Sequence, residues 1–402
     1  MEPLDLGGPH FLGGHKPHII LVGGDGHPSG VPRHITDLVR ALTGLARITV
    51  VSEVDAGGYG QLAELGARHV VLPGLASRLH PAKVRAGNQA LCALLQDEAP
   101  DVVWFHARLP VMLGRQLLVS TGWKPPAGTR VAVTYHGLPF GRGHRPSVGW
   151  ISKQIERRLL RKCPPLDLVF LNEAQQQRMQ NSMGKCMLHH RLHVLGNSSC
   201  LGTQLTQSAI DTQKPVQGRH LVMTGRTGWQ KNYKSALRLM HHLPEDITLS
   251  MCGRGSDSPA FLALVKKLAG PAADRVRCLG SLPDIRAVLA SADGYMLSSR
   301  YEGLPIGALE ACETGLPLIL GDFEGAGQLL SGLPIGLRLS EKTPQKQAQK
   351  IDAMLQKYLS NRTALSTAIK AHWAANWAPD VFDGHAKSLV SNWLADFQGL
   401  AK

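Results

Sequence analysis

Short apolar runs alternate with amphipathic stretches along most of the chain. The first run, HIILV at residues 18–22, ends in the loop GGDGHPSG, and residues 31–42 then show apolar positions at helical spacing. Strand, glycine loop and helix form the opening unit of a doubly wound α/β domain. Further runs of strand length follow at 47–52, 69–73, 101–105, 130–135 and 166–171. Because these runs are apolar throughout, they predict parallel strands buried on both faces.

A polar stretch interrupts this rhythm near residue 200. Residues 196–218, GNSSCLGTQLTQSAIDTQKPVQG, precede a second alternating series that starts at RHLVMTG. We therefore predict an α/β protein of two Rossmann-like, doubly wound domains, residues 1–200 and 201–379, with the carboxyl ends of their strands around a central crevice. The last segment, 380–402, has helical spacing and no strand after it, and could pack back on the first domain.

Composition indicates a soluble protein of two domains. The chain has 402 residues, of which 43% are hydrophobic and 18% charged. No apolar run approaches the ~18 residues that span a bilayer, and the N-terminal sequence lacks the features of a signal peptide. We expect the protein in the cytoplasm. The seven cysteines are scattered and never form CxxC, and the eighteen histidines show no HExxH spacing. These patterns predict neither a disulfide framework nor a metal site.

The net charge of +14, most of it in the first half, bears on the partners of the protein. Nucleic acid, an anionic membrane surface or a phosphorylated substrate would each suit it. No RNA-recognition signature or zinc finger is present, so we expect no nucleic-acid partner.

Two loops are candidates for binding an anion. Residues 23–26, Gly-Gly-Asp-Gly, and Ser29-Gly30 precede the first helix, where backbone N–H groups and the helix dipole suit a phosphate; a tight turn explains the same glycines. Arg226 and Lys231 follow a strand in TGRTGWQKN, residues 224–232. A guanidinium and an ammonium there suit a diphosphate, and the alternative is two solvated surface cations.

The stretch YEGLPIGALEAC, residues 301–312, contains two glutamates that bracket Gly, Pro and small apolar residues. The pattern predicts a loop that carries Glu302, a helix from Pro305 to Thr314 that carries Glu310, and Gly315 as the helix stop. Eight helical steps would separate the glutamates by about 12 Å, beyond the ~5–9.5 Å of glycosidase carboxylate pairs. The loop and helix setting better suits two hydrogen-bond acceptors that hold two hydroxyl-bearing parts of one ligand than a hydrolytic pair. A helix-surface carboxylate is the alternative for Glu310.

These segments together resemble a known enzyme family. EGLPIGALEACETGLPLIL is similar to the E-x7-E signature of the retaining, nucleotide-sugar-dependent glycosyltransferases of family four, which have the GT-B fold. TGRTGWQKN resembles the Gly-Arg…Lys segment of that family, MCGRGSD its Gly-x-Gly turn, SGVPRHITDLVRAL its glycine loop and first helix, and VTYHG its strand-end histidine. The likeness covers roughly residues 18–330 in the expected order.

The resemblance implies a role for each candidate residue. Glu310 would hold the ribose hydroxyls of the nucleotide, and Glu302 the donor sugar together with backbone amides around Leu304 to Gly307. Arg226 and Lys231 would neutralise the diphosphate, and His136 would lie by the sugar or the acceptor. The implied catalytic residues are Glu302, His136, Arg226 and Lys231. The implied donor-binding residues are Gly30, Gly225, Arg226, Lys231, Glu302, Gly303, Leu304, Pro305, Ile306, Gly307 and Glu310.

The resemblance also implies the chemistry. A sugar would pass with retention from a nucleotide-diphosphate sugar to a glycan or lipid-linked acceptor, in the synthesis of a surface polysaccharide such as lipopolysaccharide or capsule, or of a glycolipid. The leaving phosphate would take the acceptor proton, so no cofactor and no metal is expected. A sugar-nucleotide epimerase or phosphorylase of the same fold, or a non-catalytic nucleotide-sugar-binding relative, is the alternative.

Three positions depart from the family pattern and concern the acceptor. Pro32 stands where the family usually has a polar or acidic residue, NSSCLG at 197–202 replaces the usual Asn-Gly-hydrophobic-Asp segment, and Glu313 occupies a normally small position.

Residues 142–163 form a basic segment with seven Lys or Arg and one Glu. Trp150, Ile151, Ile155 and Leu159 fall near helical spacing. We interpret this stripe as the face that packs on the sheet. Whether the segment also docks on an anionic membrane, with the protein peripheral on its inner face, stays open.

Overall fold

The computed structural model describes residues 16–75, 81–120, 122–141, 143–202, 218–340 and 343–400. Most of the predicted linker after residue 202, Arg142 of the basic segment and both chain ends lie outside these residues. The chain forms two compact units. The first comprises Met1–His136, Ile151–Gly196 and Asp380–Lys402, and the second comprises Gly137–Trp150 and Asn197–Pro379.

This division differs from the predicted one in two places: the boundary falls after residue 196 instead of 200, and residues 137–150 belong to the second unit. Contacts of this segment explain the second difference. The backbone carbonyl of Gly143 accepts a hydrogen bond from Trp229 Nε1 at 3.0 Å, and the ring of His144 stacks on that of Tyr301 with centroids 4.0 Å apart.

The first unit contains a seven-stranded parallel sheet in the order β3-β2-β1-β4-β5-β6-β7. Its strands are β1 His18–Val22, β2 Arg47–Ser52, β3 Arg68–Val71, β4 Val102–Phe105, β5 Arg130–Tyr135, β6 Asp167–Phe170 and β7 Arg191–Val194. Its helices before residue 196 are α1 Gly30–Leu42, α2 Pro81–Glu98, α3 Arg108–Val119, α4 Pro146–Lys162, which begins in the second unit, and α5 Glu173–Met183, followed by a 3-10 turn at Gly184–Met187.

The C-terminal helix, Pro379–Leu400, packs on this first sheet. Phe382, Val390 and Trp393 are buried in the same core as Ile19 and Trp104. The indole rings of Trp104 and Trp393 meet edge to face, with centroids 4.8 Å apart. The amphipathic spacing of the segment thus serves to cover the sheet of the first unit.

The second unit contains a six-stranded parallel sheet in the order β10-β9-β8-β11-β12-β13. Its strands are β8 Arg219–Thr224, β9 Ile247–Cys252, β10 Val276–Gly280, β11 Gly294–Leu297, β12 Leu318–Gly321 and β13 Gly336–Leu339. Its helices are α6 Tyr233–Leu239, α7 Pro259–Ala269, α8 Arg286–Ala290, α9 Ile306–Glu313, α10 Ala326–Leu330, α11 Pro344–Ser360 and α12 Arg362–Asn376, with a 3-10 segment at Gly270–Arg275.

Both sheets confirm the predicted doubly wound, parallel architecture. Their central strands are buried along their whole length, as β1, β4 and β11 illustrate. Strand order reverses between β1 and β4 in the first sheet and between β8 and β11 in the second. Ligands of open α/β sheets bind beside the carboxyl ends of the strands at such reversals, so these loops are where a site is expected.

Helix α4 contradicts the predicted packing of its apolar stripe. Trp150 is 65% exposed, Ile151 52% and Ile155 41%. The buried side of the helix instead carries polar Ser152 and Glu156 beside Leu159 and Leu160. The cause is a buried partner for Glu156, the side chain of Arg115 on α3, which turns the polar side of α4 toward the sheet.

In the part of the chain that the structure describes, no helix combines the length and the apolar character needed to cross a membrane.

Candidate functional site

A lysine and a glutamate meet where strand order reverses in the second unit. Lys231 lies in the loop after β8 and Glu302 in the loop after β11, and Lys231 Nζ is 2.8 Å from Glu302 Oε1. The side chains are only 19% and 7% exposed, respectively. The predicted phosphate-binding cation and the predicted sugar-binding carboxylate therefore form an ion pair with each other.

Hydrogen bonds join these two loops to each other. Gln230 Nε2 donates to Glu302 Oε2 and to the carbonyl of Tyr301, both at 3.2 Å. Ser298 Oγ donates to the carbonyls of Lys231 and Asn232, at 3.2 and 3.0 Å. Asn232, in the left-handed region at φ 51°, returns a bond from Nδ2 to the carbonyl of Ser298. The ion pair thus rests on a braced scaffold rather than on two mobile loops.

Gly225 allows the Lys231 side chain to reach Glu302. Its φ of 128° disfavours other residues, and a Cβ there would lie 2.8 Å from Lys231 Cε. Gly225 thus leaves room for the side chain of the lysine, and its predicted role in donor binding stays a prediction.

Arg226 differs from Lys231 in its surroundings. Its side chain is exposed, and within the described residues it has no hydrogen-bond or ion-pair partner. One cation of the predicted diphosphate site is therefore available to an anion, and the other is held by a carboxylate.

Helix α9 begins and ends almost as the sequence predicts. Pro305 is its extended N-terminal cap residue, Ile306–Glu313 are helical, Thr314 is the C-cap and Gly315 follows at φ 82°. The first backbone N–H groups of a helix have no intrahelical acceptor, and the helix dipole adds positive potential there. Gly303, Leu304, Pro305, Ile306 and Gly307 form the turn that presents this end.

Glu310 lies inside the second unit and not on a solvated helix surface, so the alternative interpretation is wrong. It is 4% exposed between the buried residues Leu309 and Ala311. Burial raises the pKa of the Tyr295 hydroxyl well above its usual value, and the carboxylates of Glu310 and Glu302 contribute to this rise.

Gly307 is fixed by close packing. A Cβ at this position would collide with the hydroxyls of Thr224 and Tyr295, which are themselves 2.7 Å apart. Only glycine lets the first turn of α9 approach β8 and β11 this closely.

The sequence did not single out Trp229, although it lies in the same loop as Arg226. Its ring is half exposed, and the Cζ of Arg300 stands 4.0 Å from the ring centroid. Arg300 Nη2 also donates to Asn232 Oδ1 at 2.7 Å. This cation–π contact braces the loop, and a lone Trp in a loop gives no sequence signal for it.

The first unit holds the remaining predicted residues, Gly30 and His136. Gly30 is the exposed first residue of α1, and the side chain of Ser29 before it makes no capping hydrogen bond. His136 follows β5, and its Nε2 is 3.3 Å from Nδ1 of His106, which follows β4. The ring of buried His34, on α1, meets that of His136 edge to face at 4.9 Å. His106 was not predicted from the sequence. The signal for it is that a histidine directly follows each of two neighbouring strands, β4 and β5.

Two members of this histidine cluster have a lowered pKa because they are buried. Burial lowers the pKa of His106 and of His136 well below the ordinary value, and His34 adds to the effect. Nitrogen atoms of His34, His106 and His136 lie within 4.8 Å of one another, which is a spacing that could hold a metal ion. The expectation that the protein works without a metal or cofactor stays a prediction.

The two sheets, with their strand orders, define the GT-B fold, and comparison with known proteins gives the family. The family model described as "Glycosyl transferases group 1" matches residues 206–372, and the model described as "Glycosyl transferase 4-like domain" matches residues 29–197. Together these matches span most of the chain. The chain belongs to the group 1 glycosyltransferases of the GT-B fold, and the resemblance seen in the sequence is confirmed.

Three curated enzymes are similar to the chain. The N,N'-diacetylbacillosaminyl-diphospho-undecaprenol alpha-1,3-N-acetylgalactosaminyltransferase of Campylobacter jejuni is 26% identical over 36% of each chain, so about a third of that enzyme is matched. The GDP-mannose-dependent monoacylated alpha-(1-6)-phosphatidylinositol monomannoside mannosyltransferase of Corynebacterium glutamicum is 24% identical over 75% of this chain and 79% of its own. The lipopolysaccharide core biosynthesis mannosyltransferase LpcC of Rhizobium leguminosarum is 26% identical, over 63% and 73%.

Solved structures show the same fold. The Anabaena protein HepE, in complex with UDP-glucose, has a TM-score of 0.75 at 14% identity, over 93% of this chain and 99% of its own. A glycosyltransferase from Rickettsia africae has a TM-score of 0.73 at 16% identity, over 94% and 99%.

Proposed function

We propose that this glycosyltransferase transfers a sugar, with retention and without a metal, from a nucleotide-diphosphate sugar to a lipid-linked or glycan acceptor. The enzyme would act in the synthesis of a glycolipid or of a surface polysaccharide such as lipopolysaccharide. The names of the similar enzymes support this choice, since they specify undecaprenyl diphosphate, a phosphatidylinositol mannoside and lipopolysaccharide core as acceptor or product.

The observation that carries the proposal is the Lys231–Glu302 ion pair beside the start of α9. A donor diphosphate at this point would compete for Lys231, because two phosphates carry more negative charge than one carboxylate. Exposed Arg226 and the first amides of α9 would complete the anion site. Glu302, released from Lys231, would then accept a hydrogen bond from a sugar hydroxyl.

The same arrangement suggests where the rate acceleration comes from. As the sugar–phosphate bond breaks, negative charge grows on the departing diphosphate, where Arg226, Lys231 and the α9 dipole would stabilise it. The leaving phosphate oxygen would take the acceptor proton on the same face of the sugar, which gives retention without a protein nucleophile. Glu310 would fix the ribose, and neutral His136 would lie by the sugar or the acceptor.

Peripheral association with the inner face of the membrane belongs to the proposal. A lipid-linked acceptor is presented at a membrane surface, and residues 143–163 expose Trp150, Ile151 and Ile155 among basic side chains. Exposed apolar and cationic residues on one helix are typical of interfacial binding.

Calorimetric titration with UDP-, GDP- and ADP-sugars tests donor binding. Lys231→Ala should weaken binding of the preferred donor by roughly thirtyfold, equivalent to about 2 kcal/mol for a lost charge-assisted hydrogen bond. Lys234→Ala is the matched control, because Lys234 is an exposed lysine on the adjoining helix α6. Absence of binding to every donor, or equal affinity in the two variants, would contradict the proposal.

Turnover with the preferred donor tests the chemistry. NMR of the product should show the anomeric configuration of the donor, and activity should persist in excess EDTA. An inverted product or complete loss of activity with EDTA would refute the proposed mechanism. Donor binding with no transfer to any lipid-linked or glycan acceptor would instead favour a non-catalytic binding protein.

A further inference from the structure

The C-terminal half of α4 forms a cationic groove on the surface of the first unit. The groove has a volume of about 330 Å³ and is lined by Gln154, Arg157, Arg158, Arg161 and Lys162. These residues recur at steps of three and four along one helix, which brings their side chains to a common side. Four cations and one amide thus line a concave surface.

No carboxylate on the helix offsets this charge. Glu156, its one acidic residue, points inward and receives two hydrogen bonds from Arg115, at 2.6 and 2.8 Å. Arg157 donates to the carbonyl of Ser182 at 3.2 Å, and Arg161 Nε lies 3.3 Å from Cys186 Sγ. These neutral partners orient two guanidinium groups and leave their charge uncompensated.

Arg158 and Lys162 stand one turn apart and are exposed. Among the residues that the structure describes, neither has a hydrogen-bond or ion-pair partner. Four neighbouring cations repel one another, so an anion in the groove would relieve an unfavourable arrangement as well as gain new bonds. A phosphate group, with several acceptor oxygens, matches the fork of an arginine and the ammonium of a lysine.

The same side of α4 changes character toward its N-terminus. Ile151, Ile155, Arg158 and Lys162 follow one another at spacings of four, three and four residues and form one stripe. Its first two members are exposed apolar side chains and its last two are free cations. A helix in a membrane interface places apolar residues among the acyl chains and cations at the level of the phosphates.

We propose that the groove of Gln154, Arg157, Arg158, Arg161 and Lys162 binds the phosphate of an anionic lipid headgroup. The occupant is a lipid and not a free phosphate because the apolar half of the stripe continues directly from the groove. This inference rests on the peripheral membrane association proposed above. It names the residues that would make this association selective for anionic lipid.

Flotation of the full-length protein with vesicles tests the inference. One set is phosphatidylcholine alone, and the other contains about one third phosphatidylglycerol. Binding should require phosphatidylglycerol. Replacing both Arg158→Gln and Lys162→Gln should lower the partition coefficient about 25-fold, since each basic residue at such a surface contributes about a factor of five. Ile151→Ser with Ile155→Ser should weaken binding to the same vesicles.

Lys153→Gln is the matched control, because Lys153 lies on the same helix but does not line the groove. It should lower the partition coefficient by less than about threefold. If Lys153→Gln lowers binding as much per charge removed as the double replacement of Arg158 and Lys162 does, the inference is overturned in favour of a diffuse charge effect. Binding of inorganic phosphate or glycerol phosphate by calorimetry, without binding to vesicles, would overturn the lipid as occupant.

The outcome can be separated from that of the proposed transferase activity. The groove variants should bind nucleotide sugars with unchanged affinity, because none of these residues belongs to the candidate donor site. If no donor binds while vesicle binding follows the groove residues, the membrane inference stands and the proposed function falls. If donors bind but the groove variants bind vesicles as well as the wild type does, the membrane inference falls and the proposed function stands.

Discussion

Glu313 accepts hydrogen bonds from Ser199 and from the backbone of Leu201. Ser199 Oγ is 2.8 Å from Glu313 Oε2, and Leu201 N is 2.6 Å from Oε1. Trp373 Nε1 in turn donates to Ser199 Oγ at 2.8 Å. Glu313 and the segment NSSCLG each depart from the usual family pattern, and the structure shows that they contact each other. The two departures form a single clamp on the segment that leads into the second unit.

Replacing Glu313→Ala should destabilise the second unit by about 2–3 kcal/mol, because two hydrogen bonds to a charged acceptor are lost. Urea unfolding followed by tryptophan fluorescence measures the loss. Hydrogen exchange at the amide of Leu201 should quicken more than exchange within the central strands.

Glu245→Ala is the control for this prediction, since Glu245 is an exposed carboxylate of the same unit. It should change the free energy of unfolding by no more than about 0.5 kcal/mol. If the two substitutions have the same effect, or if exchange at Leu201 is unchanged in Glu313→Ala, the clamp does not contribute to the free energy of unfolding.

The fold was predictable because parallel strands covered on both faces leave uninterrupted apolar runs. Runs such as HIILV and DVVWF, repeated between amphipathic stretches, are typical of such strands. The position of Lys231 and Glu302 followed for a related reason. Each lies in the loop that follows a strand, and the topology brings the carboxyl ends of adjacent strands to one edge of the sheet.

The rest depends on contacts distant in sequence. An amphipathic pattern shows that α4 has an apolar side but not which side another element covers. Arg115, 41 residues before Glu156, supplies the buried partner that turns the polar side inward. His34 was equally hidden, because a histidine within the apolar positions of α1 reads as an ordinary core residue until His106 and His136 are placed beside it.

Gly307→Ala should impair both folding and donor binding. The added Cβ would displace the Thr224 or Tyr295 hydroxyl and push the first turn of α9 outward. Overpacking of this kind typically costs about 1–3 kcal/mol. Thermal unfolding measures the destabilisation, and calorimetry with the preferred nucleotide sugar measures the loss of affinity in the folded fraction.

Gly327→Ala provides the comparison for this steric prediction. Gly327 is an exposed helical glycine of α10, and its nearest atom to an added Cβ is Arg338 Nη1 at 3.6 Å. That substitution should be neutral or slightly stabilising, as alanine is the better helix former. A neutral effect of Gly307→Ala would show that α9 tolerates a shift and that its packing does not fix the site.

Glu156→Gln should destabilise the first unit by about 3–5 kcal/mol, because it leaves the guanidinium of Arg115 buried without a counter-charge. Arg115 is 1% exposed and also donates to Tyr135 Oη at 3.0 Å. The free energy of urea unfolding measures this cost.

The double replacement Arg115→Met with Glu156→Leu removes both charges at similar volume. It should be markedly more stable than Glu156→Gln alone, since no isolated charge remains in the interior. A double variant that is as unstable as the single one would mean that the shape of the ion pair, and not its charge balance, is what the core requires.

His190 should make the first unit less stable in mild acid. Its Nδ1 accepts the backbone N–H of Leu166 at 3.1 Å and its Nε2 donates to the carbonyl of Leu160 at 3.0 Å, so the ring is held neutral. Burial lowers the pKa of His190 from 6.5 to about 4, and the neighbouring His189, Arg115 and Arg191 act in the same direction.

Because the pKa of His190 is lower in the folded state, its neutral ring contributes stability that is present above pH ~6.5 and is lost as the pH falls toward 4. Between pH 7 and pH 5 the loss should be about 2 kcal/mol. In His190→Asn the free energy of urea unfolding should be lower at pH 7 but should fall less between the two pH values. His242→Gln, at an exposed position in the second unit, should leave the wild-type pH dependence intact. An equally steep pH dependence in His190→Asn would show that other groups cause the acid sensitivity of this unit.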